Sequence, residues 1–80
     1  MDRNQKFLKR LTEKELTAVE NTLQKLLIRD TEKLDIKKLT GYRDIYRVRI
    51  GNIRIIFLDT GNYTEVLEIS RRSERTYKKF

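Results

Sequence analysis

Apolar positions along this 80-residue chain change their period once. Up to about residue 28 they recur at helical spacing, with Leu16, Val19, Leu23, Leu26 and Leu27 forming one stripe. Thr12-Glu13-Lys14-Glu15 precedes that stripe and has the capping-box form, a hydroxyl at the N-cap and a glutamate three residues on. The spacing therefore predicts a helix of about four turns, ending near Ile28 to Asp30. Phe7, Leu8 and Leu11 predict a shorter first helix over residues 3–11, packed antiparallel to the second. Residues 30–41 are polar, anchored by Leu34, Ile36 and Leu39, and read as a connector that closes at Gly41.

From Tyr42 onward the period is two. Tyr46, Val48 and Ile50 alternate with Ile45, Arg47 and Arg49; Gly51-Asn52 is a two-residue hairpin signal; Ile53, Ile55 and Phe57 then alternate with Arg54, Ile56 and Leu58. Such a turn fixes the register, pairing Ile50 with Ile53, Val48 with Ile55 and Tyr46 with Phe57 on one apolar face. Asp59-Thr60-Gly61-Asn62 supplies a second turn and Tyr63 to Ser70 a third strand. Ser73 to Phe80 is long enough for a short C-terminal helix, with Ser73 as its N-cap. The pattern predicts a single α+β domain over residues 1–80: two N-terminal antiparallel helices on a three-stranded antiparallel meander, then the short helix.

The same register places Arg47, Arg49 and Arg54 together on the other face of the hairpin, with Arg49 directly opposite Arg54. Like charges across a ladder destabilise it by about 0.2–1 kcal/mol, so a neutral scaffold has little reason to keep the pair. The arrangement reads as a preformed anion site. Arg54 is expected there to make no core contact, and either Arg71 or Arg72, not both, to reach the same face. Tyr77 is expected near the end of the arginine strand.

Composition sharpens that reading. Nineteen Lys and Arg against twelve Asp and Glu give a formal net charge of +7, which favours an anionic partner, most often nucleic acid. The cations are also sorted by type: residues 1–40 hold seven Lys and three Arg, residues 41–80 seven Arg and two Lys. Arginine's planar fork suits bidentate phosphate contact, so the second half is where a site is expected. With no Cys and no His, the common Zn, Cu and haem ligand sets are absent, as are Cys-His, Ser-His and imidazole acid–base catalysis. No metal and no cofactor are expected. The longest apolar run is Ile55 to Leu58 and the N-terminus has no apolar signal region, so no membrane contact is expected and a cytoplasmic location is.

The segment KKLTGYRDIYRVRIGNIRIIF followed by VLEISRRSERTY resembles the RelE branch of the RelE/ParE toxin superfamily. The likeness extends over most of the chain and includes the order of two helices, strands and basic tail. It implies a ribosome-dependent endoribonuclease that cleaves mRNA in the ribosomal A site, with a cognate antitoxin as partner. The family's basic strand positions fall on Arg47, Arg49 and Arg54, its late arginine on Arg71 or Arg72, and its C-terminal aromatic on Tyr77. In the family's reaction the ribose 2′-OH attacks the adjacent phosphate. Members often carry lysine on the first central strand, where Arg47 and Arg49 stand here and cannot readily lose a proton, so the general base is left open. Members also usually begin with a strand, for which this chain has only Met1 to Gln5, and a three-stranded sheet is expected. The alternative on the same scaffold is a non-catalytic binder, either a topoisomerase inhibitor of the ParE kind or a degenerate toxin that only pairs with an antitoxin.

Overall fold

A computed structural model describes residues 3–72. The elements run α1 (Arg3–Leu8), α2 (Glu13–Leu27), β1 (Asp35–Lys38), β2 (Ile45–Ile50), β3 (Ile53–Asp59) and β4 (Thr64–Arg71). The strands form one antiparallel sheet in the order β1-β2-β3-β4. The expected C-terminal helix and Tyr77 lie outside the described residues.

Both helices follow their sequence signals. At the start of α2 the Thr12 hydroxyl accepts the Glu15 N–H at 3.1 Å, and the Glu15 carboxylate accepts the Thr12 N–H at 3.0 Å. At its end the N–H groups of Arg29 and Asp30 reach back to the carbonyls of Leu26 and Lys25, a Schellman closure. Arg29 takes the left-handed conformation there, φ 61°, where glycine is usual. Its Nη1 donates to both carboxylate oxygens of Asp59 at 3.0 Å and ties the helix end to the end of β3. The first helix stops three residues earlier than its apolar spacing predicts, because Arg10 and Leu11 close tighter i→i+3 bonds to Phe7 and Leu8. α1 packs chiefly on β4 and α2 on β2.

The central hairpin has the expected register, Ile50 opposite Ile53, Val48 opposite Ile55, Tyr46 opposite Phe57 and Arg49 opposite Arg54. Gly51, at φ 57°, takes the first turn position, where a side chain would be strained. Val48, Ile53, Ile55 and Phe57 join Phe7, Val19, Leu26 and Ile69 in the core beneath the helices. Tyr46 and Phe57 stack with centroids 5.6 Å apart.

The sheet has four strands, not three. Asp35–Lys38, expected to be connector, pairs along the outer edge of β2, with Asp35 opposite Arg49, Ile36 opposite Val48 and Lys37 opposite Arg47. Only Ile36 in it is apolar, so the period-two signal is nearly silent; the strand forms because the β2 edge needs backbone partners and Ile36 extends the core face.

In β4 the ladder shifts between Ile56 and Phe57, which face Glu68 and Val66, leaving Leu67 in a bulge. Val66 and Ile69 are three residues apart and could not share one face of a regular strand. The bulge lets both face the core, and from Ile69 the alternation carries Arg71 to the helix side. The Asn4 side chain completes this edge, its Oδ1 accepting the Ile69 N–H at 3.0 Å and its amide donating to the Leu67 carbonyl at 3.4 Å.

Candidate functional site

On the sheet face away from the core, β1, β2, β3 and the residue after β4 surround an open cleft of about 750 Å³. Lys37, Lys38, Arg47, Arg49, Arg54 and Arg72 line it, with Leu39, Thr40, Asn52 and Ile56. Its lining contains six cations and no Asp or Glu, so its field favours an anion.

Each arginine is held differently. Arg54 is 8% exposed and donates from Nη2 to the carbonyl of Arg72. Arg54, expected to make no core contact, is outside the hydrophobic core cluster yet buried, because β3 is a central strand buried on both faces through its first five residues. Arg47 has 12% of its side chain exposed. Burial first, then the Arg49 charge, pulls its guanidinium below the ordinary value, against the opposing pull of Asp35. Its Nη1 is buried with no hydrogen-bond partner among the described residues. Arg49 is more open and places Nε 3.3 Å from Asp35 Oδ2, which also stands 3.7 Å from Arg47 Nη1. Arg72 donates its N–H to Asn52 at 2.7 Å and its Nη1 to Gly51 at 3.0 Å, so it clamps the hairpin turn.

Of the sequence candidates, Arg47, Arg49, Arg54 and Arg72 meet in this cleft and Arg71 does not. Arg71 Nη1 bonds Glu15 at 3.0 Å, and its guanidinium lies 5.9 Å from the Phe7 ring centroid. Tyr77 lies outside the described residues. Lys37, Lys38 and Asp35 were missed as site residues because their strand was read as connector. The signal for it was the two-residue spacing of Leu34 and Ile36, which puts Asp35 and Lys37 together on the opposite face.

Among the described residues there is no group of three or more His, Cys, Asp or Glu able to hold a metal ion. No helix of the described residues is long and apolar enough to cross a membrane.

No protein-family model matches the chain. A 23-residue stretch is 65% identical to Toxin RelE3 of Methanocaldococcus jannaschii, covering 29% of this chain and 26% of that protein. The fold is similar to a chain in the crystal structure of the RelB-RelE antitoxin-toxin complex from Methanococcus jannaschii. That likeness has a TM-score of 0.66 at 28% identity and covers 100% of this chain and 95% of the other. The chain is similar to RelE-type toxins in fold and in this stretch of sequence. Its RelE fold places the cationic cleft on the sheet face opposite the two helices.

Proposed function

We propose that this chain is the RelE-type toxin of a toxin-antitoxin pair and acts as a ribosome-dependent endoribonuclease on mRNA. The observation that carries the proposal is the cleft, where Arg47, Arg49, Arg54 and Arg72 converge from β2, β3 and the residue after β4 with no acid in the lining. Attack of a ribose 2′-OH on the adjacent phosphate gives a dianionic pentacoordinate centre, leaving a 2′,3′-cyclic phosphate. Fixed arginines stabilise that charge more than the single charge of the ground state, which is what lowers a barrier. The unsatisfied Arg47 Nη1 is a donor already desolvated for such an oxygen. Tyr77, which the family resemblance makes the C-terminal aromatic, is the candidate stacking platform for the nucleotide. A cognate antitoxin as partner is supported by the likeness to the RelB-RelE complex.

Expression of the protein followed by mapping of transcript 5′ ends at codon resolution tests the proposal. New ends at fixed positions within translated codons are expected. Intact transcripts with a DNA-damage response would contradict it and fit a topoisomerase inhibitor.

A further inference from the structure

A cationic cleft stabilises charge but does not remove a proton. The chain has no His or Cys, and guanidinium groups give up protons too reluctantly to serve as bases near neutral pH. The acceptor for the 2′-OH proton must therefore be another oxygen or nitrogen within reach of a phosphate seated on the arginines.

The described carboxylates narrow the choice. Glu15 is on the helix side of the sheet and is bonded to Arg71. Asp59 is engaged by Arg29 and by the Gly61 N–H at the far end of β3. Glu68 is 3% exposed on β4 and stands 3.9 Å from Arg3, so it offers little surface to a bound RNA. Asp35 pairs with two of the cleft's arginines, Arg47 and Arg49, and its side chain is 61% exposed. The ion pair with Arg49 Nε, at 3.3 Å, holds the carboxylate beside that guanidinium while its two terminal nitrogens remain for a phosphate.

We propose that Asp35 is the general base of the cleavage reaction, a role that rests on the proposed endoribonuclease function. An Asp35 oxygen takes the 2′-OH proton as the O2′–P bond forms. The P–O5′ bond breaks, its electron pair stays on the 5′-oxygen, and that oxygen takes a proton from water. Asp35 then returns its proton to solvent, and the products are a 2′,3′-cyclic phosphate and a 5′-hydroxyl. The charged groups facing Asp35 are Arg47 and Arg49 across the ladder and Lys37 two residues on along its own strand. All are cationic.

The test is single-turnover cleavage on programmed ribosomes by the wild type, Asp35→Asn and Asp35→Glu across about pH 5–9, with RNA binding measured in parallel. Asp35→Asn is expected to lower the cleavage rate by about 10²–10⁴. It is expected to bind RNA as tightly or more so, because it removes an anion from the arginines. The wild-type rate should level off above its acid limb, whereas the Asn variant continues to rise with hydroxide. Asp35→Glu, which keeps the carboxylate, should recover part of the rate and the levelling. Thermal melts of the three proteins exclude a folding effect. A fast Asp35→Asn, or a slow one whose pH profile keeps the wild-type shape, would overturn the assignment. A wild type that leaves ribosome-bound mRNA intact would overturn the endoribonuclease reading itself, and this role with it.

Discussion

Arg71 and Arg72 are neighbours with opposite surroundings. Strand alternation after the bulge sends Arg71 to Glu15 and the Phe7 ring and sends Arg72 to the hairpin turn and the cleft. Arg71→Ala is expected to lower the melting temperature by a few degrees while preserving the cleavage rate of the folded protein. Arg72→Ala is expected to cost about 10²–10³ in cleavage, the scale for losing one charge-stabilising donor. Parallel melts and single-turnover assays check both, and equal loss of activity would contradict the division. Glu15 gives a second test at this scale. Its bond to Arg71 first, and then the Thr12 N–H, hold its carboxyl down at about 2, against an ordinary 4.5. A depressed carboxyl contributes stability that is fully present above the ordinary value and is lost as pH falls through 4.5 towards about 2. Asp59 is also lowered, chiefly by the Gly61 N–H, and adds the same sign of dependence. Melting curves between about pH 2 and 6 should therefore fall less steeply for Glu15→Gln than for the wild type. Identical slopes would contradict the Glu15–Arg71 pairing.

Among the elements, α1 contributes Phe7 to the core and one polar side chain to the sheet edge. Asn4 pairs with the backbone around the β4 bulge much as a neighbouring strand would. Asn4→Ala removes two hydrogen bonds and opens that edge, and is expected to cost about 1–2 kcal/mol. It should also promote self-association through the exposed strand. Urea melts and size-exclusion chromatography would show it, and unchanged behaviour in both would contradict the edge-covering role. Legibility in the sequence also divides by element. The capping box of α2 and the Gly51-Asn52 register could be read because their signals are local: one side chain meeting one backbone group, or one turn fixing one alternation. β1 could not, because three of its four residues are charged and its pairing is decided by an edge that exists only once β2 and β3 are assembled. Arg54 was placed on the right face, yet its burial was not foreseen, since a single strand's pattern does not say what covers its second face. The choice between Arg71 and Arg72 turned on a bulge whose only trace is the three-residue spacing of Val66 and Ile69.

For the whole molecule, the fold divides the labour between two faces. The helices and the apolar face of the sheet make the core, and the other face gathers cations from β1 to the end of β4. The central claim is that this second face cleaves mRNA only when the ribosome presents it. In the proposed reaction the domain supplies charge stabilisation and no imidazole, and a ribosome holding mRNA rigidly in the A site would supply the in-line geometry that a flexible strand lacks. The most direct test is to incubate the purified protein at low salt with one short RNA, either free or in the A site of a programmed ribosome, and compare single-turnover rates. The account predicts cleavage in the A site and negligible cleavage of the free strand; comparable rates in both would contradict it.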